Sequence, residues 1–215
     1  MPASTDFYWW PGKSDAMKIY DISQEVFSCA VYPGDPAPKK QTLCAMASGD
    51  LYNLTAFSMC AHNGTHIDAP FHFLRDGKTV EQMALDVFVG DCYVARHEGD
   101  VTAADAEAIL TRAGDAERIL IAGKATVTEG AAKVLAAGQI KLFGNESQTV
   151  GPENAPMQVH KTLLAKNVAL LEGVALTDVP EGRYFLSAAP LRLAGTDGAP
   201  CRAFLIESNG ADLNG

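Results

Sequence analysis

The residues that could do chemistry are crowded into one segment, HNGTHIDAPFH, where His62, His66, Asp68 and His72 fall within eleven positions, all on even numbers. Imidazole nitrogen and carboxylate oxygen together suit a borderline divalent ion such as zinc or manganese, and two histidines with one aspartate leave positions open for water or substrate. An ion held in this way brings the pKa of water towards 7 and polarises a carbonyl, which is what hydrolysis requires. The parity suggests how the four side chains meet. A strand sends alternate residues to one face, so all four could converge while Thr65 and Ile67 turn the other way. A helix would also align His62 with His66, but Gly64 weakens it and Pro70 would break it. The reading is an extended segment with a bend at Asn63-Gly64.

The elements that must position this segment are legible from caps and periodicity. From Met17 the chain reads as a strand, KIYDIS, then an extended loop, VYPGDPAP, and a short strand over Thr55 to Met59. Thr102 with Asp105 forms a capping box that opens a helix over Ala103 to Ala113, stopped by Gly114. Thr128 caps a second helix, Glu129 to Ala137, closed by Gly138. A third runs from Pro156 or Met157 to Lys166, with Asn167 at its end. Three apolar strands, RILIAG, IKLFG and VALLEG, each end in glycine and are separated by helical patterns, the signature of βαβ crossovers and parallel neighbours. The C-terminal YFLSAAPLRLAGTDGAPCRAFLIES reads as two strands joined by a Gly-rich turn, a hairpin added to the sheet. The expected fold is a single α/β domain over residues 17-215, a mixed sheet with βαβ crossovers and antiparallel additions.

Composition narrows the partners. A chain of 215 residues buries roughly 70% of its unfolded surface and needs no metal or disulfide merely to fold. A net charge of −9 disfavours the phosphate neutralisation on which nucleic-acid binding depends. No stretch approaches the roughly 20 apolar residues of a membrane span. Cys29, Cys44, Cys60, Cys92 and Cys201 stand singly with no CxxC pair, which argues against a disulfide framework and points to a reducing cytoplasm. Residues 1-16, with Phe7, Tyr8, Trp9 and Trp10 clustered, read as a leader or as an arm that packs on a neighbouring subunit. His97, among Arg96, Glu98 and Asp100, reads as a solvated loop residue without a role, and Glu146 in GNESQ, which follows its strand as Glu172 does and could face the same cleft, reads first as a loop or capping charge.

The histidine segment resembles the HxGTHxDxPxH signature of the cyclase family of metal-dependent hydrolases, which includes bacterial kynurenine formamidase (arylformamidase) and isatin hydrolase. His62, Gly64, Thr65, His66, Asp68, Pro70 and His72 all match it. The resemblance continues in DIS and YPGD near the start and in DVPEGRYFLSAAPLRLAGTDGAPCRAFLIE near the end, so it spans Met17 to Glu207. It implies the swivelling β/β/α fold of that family. It also implies one metal ion on His62, His66 and Asp68, a second held by His160 and Glu172 with Asp68 as bridge, and His72 as general acid/base. The distant pair has support of its own, since Glu172 is a carboxylate at the end of a buried parallel strand, where a charge needs a partner or a metal. Tyr32 stands in VYPGD where kynurenine formamidases place an aromatic residue, usually tryptophan, to stack on the substrate ring, and the GNES segment departs from the Asp-rich version of those enzymes.

Together these readings imply a zinc- or manganese-dependent hydrolase of a small amide or formamide that assembles as a homodimer or homotetramer. Hydrolysis of a cyclic amide of the isatin type is the enzymatic alternative. A non-catalytic protein that binds metal or a small ligand is the alternative outside catalysis.

Overall fold

A computed structural model describes residues 17-207; the leader, with its aromatic cluster, lies outside the described residues. In chain order the strands and helices are β1 (Ile19–Asp21), β2 (Lys39–Cys44), β3 (Leu54–Ser58), β4 (His66–Asp68), β5 (Val89–Arg96), β6 (Gly99–Val101), α1 (Ala103–Ala113), β7 (Arg118–Ala122) and β8 (Ala125–Val127). They continue with α2 (Glu129–Ala137), β9 (Leu142–Asn145), α3 (Met157–Leu164), β10 (Ala169–Glu172), β11 (Gly182–Ser187), β12 (Gly198–Pro200) and β13 (Phe204–Glu207). Nine strands form one sheet in the order β1-β13-β11-β5-β7-β9-β10-β4-β12, while β2-β3 and β6-β8 pair separately.

The middle of the sheet, β5-β7-β9-β10, is parallel, and the crossovers through α1, α2 and α3 make it so. Strand RILIA shows how alternation divides the core. Ile119 and Ile121 face α1, α2 and α3, while Leu120 faces a second cluster with Ile67, Phe88 and Leu171. Both faces are covered, so β7, β9 and β10 are buried throughout. The first two helices begin and end where their caps place them: Thr102 accepts from the Asp105 N–H and Thr128 from the Ala131 N–H. The third stops at Leu164, two residues short of the expected Lys166. The N–H groups of Lys166 and Asn167 bond to the carbonyls of Leu163 and Leu164, tightening the last turn before Asn167 turns left-handed at φ 57°.

The C-terminal third corrects the expectation of a simple hairpin. Strands β11 and β13 are antiparallel neighbours, but the Gly-rich stretch between them is not their turn. It travels across the molecule, and Gly198–Pro200 pairs as β12 with the outer edge of β4. An edge strand with unpaired backbone groups is thereby closed.

Candidate functional site

Register places the chemistry. On β4, Ile67 points into the core, so His66 and Asp68 point to the helix-covered face. The antiparallel neighbour β10 sets Glu172 opposite His66 and Leu170 opposite Asp68, so Glu172 emerges on the same face. The helix α3 packs there and brings His160 in, with Nε2 3.0 Å from Glu172 Oε1 and 3.5 Å from Asp68 Oδ2. These four side chains are almost completely buried.

His62 and His72 arrive by another route than strand parity. Only His66–Asp68 is strand; His62 sits in the turn before it, where Gly64 adopts φ 66°, and His72 ends a 3-10 turn, Pro70–His72, started by the proline. Their rings nonetheless lie 4.2 Å apart between centroids, and His62 Nδ1 is 2.8 Å from Asp68 Oδ1. On the other side of β4, Gly198 lies opposite Asp68 and leaves the room His62 needs: a Cβ there would lie 2.6 Å from His62 Cε1. Thr65, turned away as expected, accepts from the Gln24 N–H and donates to the Gly173 carbonyl, so it pins the motif to its surroundings.

The donor set fits a divalent ion. His66 donates from Nδ1 to the Gly64 carbonyl and His160 from Nδ1 to the Pro156 carbonyl, which leaves both Nε2 atoms aimed at the carboxylates, the tautomer a metal ligand needs. His66 Nε2 and Asp68 Oδ2 are buried and have no hydrogen-bond partner among the described residues. Orphaned polar atoms in a dry interior are costly, and an ion between them would satisfy both. Two overlapping groups of three, His62-His66-Asp68 and Asp68-His160-Glu172, share Asp68, and a third, His62-His72-Asp197, opens to solvent.

The electrostatics carry the same message. Burial opposes charge on His62, yet its hydrogen bonds to Asp197 and Asp68 raise its pKa to about 11. Burial likewise opposes charge on His66 and His160, but Asp68 and Glu172 lift them to about 9 and about 10. Burial would raise the Asp68 carboxyl, but the close imidazoles of His160, His62 and His66 hold it well below the usual range. Its neighbour Asp197 is held low chiefly by His62. His72 differs: burial, aided by the charge of His62, keeps it below the ordinary imidazole value despite Asp68, so it is neutral at neutral pH.

The sign of the pH dependence follows. Without an ion, the raised histidines contribute stability that is complete below their unfolded pKa of about 6.5 and is lost as pH rises through 9 to 11. Stability from the depressed carboxyls of Asp68 and Asp197 is present above about 3.9 and is lost in acid. Chelator-treated protein is therefore expected to melt highest between about pH 4 and 6.5 and progressively lower towards pH 10, while zinc-loaded protein holds its midpoint. Thermal melts across that range check this; a flat or rising profile for the chelated protein above pH 7 would contradict it.

Every residue proposed from the sequence lies in or beside this cluster. His62, His66, His72, His160, Glu172 and Tyr32 border one cavity of about 390 Å³, and Asp68, buried, lies 2.8 Å from His62. The Tyr32 hydroxyl donates to the Glu153 carbonyl, 2.8 Å away, so its ring stands at the rim. His97 does not border this cavity and bonds the Asp100 carbonyl, and Glu146, also away from its lining, accepts the N–H groups of Gly123 and Leu176. Sequence reasoning missed Asp197, which meets both His62 and His72. An aspartate inside TDGAP carries no spacing signal; only the unexpected path of β12 brings it here.

Known proteins share this fold. The model of the family described as "Putative cyclase" matches residues 4–170. The chain is 33% identical over 207 residues to a kynurenine formamidase of Erythrobacter litoralis (strain HTCC2594), covering 88% of this chain and 94% of that one. Among solved structures, a potential metal-dependent hydrolase with cyclase activity superposes with a TM-score of 0.76 at 32% identity, over 90% of this chain and 99% of the other. Isatin hydrolase A from Labrenzia aggregata shares the fold, with a TM-score of 0.78 at 21% identity over 89% and 94% of the two chains. With a histidine-aspartate motif buried at the β4-β10 junction of this mixed sheet, and relatives that match over nearly their whole length, the chain belongs to the cyclase family.

Proposed function

We propose that the protein is a metal-dependent hydrolase of a small aryl amide or formamide, of the kynurenine formamidase type. One observation carries the reading: a cluster of three histidines and two carboxylates, almost wholly buried, opens onto a cavity whose wall bears a further histidine, His72. Identity of 33% to a kynurenine formamidase over nearly its full length supports the substrate class. His62, His66 and Asp68 would hold one ion, and Asp68, His160 and Glu172 a second. When bound, zinc or manganese supplies Lewis acidity to a substrate carbonyl and acidifies water.

The chain's own residues do the rest. His72, neutral and with Nδ1 facing Asp197, has Nε2 free to take a proton from water and return it to the departing nitrogen. Phe73 packs its ring 4.4 Å from His72 and 4.8 Å from His160, so it holds both in place and keeps water from that side. Tyr32 offers an aromatic surface at the rim for an aryl group.

The test is a panel of aryl and aliphatic formamides, lactams and esters, assayed with zinc, manganese or cobalt. Aryl formamides should be turned over best, and Tyr32→Ala should raise KM for them several-fold more than for aliphatic ones. Equal effects on both classes would remove the stacking role. Failure of every metal-loaded preparation on the whole panel would favour a binding protein.

The same reading includes self-association in the cytoplasm. All five cysteines are free, as a reducing compartment would leave them, and no described helix is long and apolar enough to cross a membrane. Among the described residues the β2-β3 hairpin pairs with no other strand, and it and its connecting loop expose Leu43, Met46, Leu51, Tyr52 and Phe57. A lone two-stranded ribbon is marginal in water, and so large an apolar surface supports the reading of an interface there. Light scattering at micromolar concentration should give a dimer or tetramer, and Phe57→Asp with Leu51→Asp should dissociate it; a wild-type monomer would refute the assembly.

A further inference from the structure

Each buried histidine of the cluster is oriented by a partner on its outer side, and the partners are not alike. His66 and His160 are held by backbone carbonyls, Gly64 and Pro156. His62 is held by a side chain: its Nε2 lies 2.8 Å from Asp197 Oδ2, while its Nδ1 faces Asp68. The same Oδ2 lies 3.2 Å from His72 Nδ1. We propose that Asp197 is a positioning residue that sets the tautomers of His62 and His72 together, through one oxygen shared between the ion site and the proton-transfer site. The proposal rests on the hydrolase reading above and adds a residue to it.

The chemistry is that of an acceptor. An ionised carboxylate cannot donate, so each ring nitrogen facing it must carry a proton. His62 then has Nε2–H, which leaves Nδ1 with its lone pair towards Asp68 and a bound ion. His72 has Nδ1–H, which leaves Nε2 as the base. Outer carboxylates of this kind fix ring orientation and raise ligand basicity at metal sites.

The backbone around Asp197 is built to hold this position. Its carbonyl accepts the Ala69 N–H at 2.9 Å, the Thr196 carbonyl accepts the Val80 N–H at 3.1 Å, and Gly198 follows in register with Asp68. The strand is thus anchored on both sides of the carboxylate. The side chain itself is 43% exposed, so water can take its place if it is removed, but water does not choose between tautomers.

The test uses the full chain with Asp197→Ala and Asp197→Asn. Long-range nitrogen-proton NMR of the imidazoles reads the tautomers, zinc binding is measured against a competing chelator, and kcat and KM are measured on an aryl formamide. In wild type His72 should be the Nδ1–H tautomer. Asp197→Ala should shift it to Nε2–H, weaken zinc binding roughly 10- to 100-fold and lower kcat by a similar factor with little change in KM. Asp197→Asn keeps the volume and one accepting oxygen, so it should restore one of the two effects at most; it gives the same readouts if the alanine variant fails to fold. An unchanged His72 tautomer with zinc affinity within about twofold of wild type would overturn the proposal. If wild type loaded with metal hydrolyses nothing, the hydrolase reading fails instead, and the tautomer and zinc measurements still decide the role of Asp197.

Discussion

His66→Ala should strip the purified protein of most of its divalent metal and take hydrolysis to background. The side chain is 1% exposed, and its Nε2 sits between two carboxylates, 3.4 Å from Asp68 Oδ1 and 3.5 Å from Glu172 Oε2. No other imidazole can take that place: His62 and His160 approach Asp68 from other directions. Two remaining ligands seldom hold a divalent ion tightly, so the loss in affinity should exceed the roughly 10- to 100-fold that removal of an outer partner costs. The fold should survive, because β4 is paired through its backbone on both edges and the two core clusters do not include the site. It should be weaker without an ion, since Asp68 and Glu172 then lose one buried positive partner, a change of order 3 to 5 kcal/mol. Metal analysis, circular dichroism and the formamide assay read the three outcomes; full metal content in the variant would move the ion site elsewhere.

His72→Ala is expected to keep both metal and fold while lowering kcat by roughly 100- to 10,000-fold, the usual contribution of a positioned acid/base. His72 is the more exposed partner of the pair it forms with His62, with 26% of its side chain open to the cavity against 14%. Its hydrogen bond goes to Asp197 and to no carboxylate of the buried pair of sites. The one arrangement that would make it a ligand is the outer group His62-His72-Asp197. Metal stoichiometry separates these roles: if the variant loses an equivalent of ion, His72 is a ligand and the proton must be moved by another group.

Much of this was readable from short-range chemistry. Thr102 with Asp105, and Thr128, mark their helices because a cap is decided by hydrogen bonds within three residues. RILIAG, IKLFG and VALLEG declared a parallel sheet because strands buried on both faces need continuous apolar runs, and the helices between them are the required crossovers. The motif at His62 to His72 announced its chemistry through residue type alone. Parity accounted for His66 and Asp68, which are in a strand, and not for His62 and His72, which a glycine turn and a 3-10 turn deliver.

The amino-acid sequence by itself thus determined the capped helices, the parallel strands and the class of chemistry. The tertiary structure decided which distant residues join it. Glu172 reaches the site because β10 pairs with β4 in the register that sets it opposite His66, and Asp197 because the chain between β11 and β13 closes the far edge of β4. Register between segments about a hundred residues apart is chosen by side-chain packing on both faces and by the need to pair every strand edge. Neither constraint leaves a mark in the local pattern of TDGAP, so Asp197, which touches two of the site's histidines, became visible only in the folded chain.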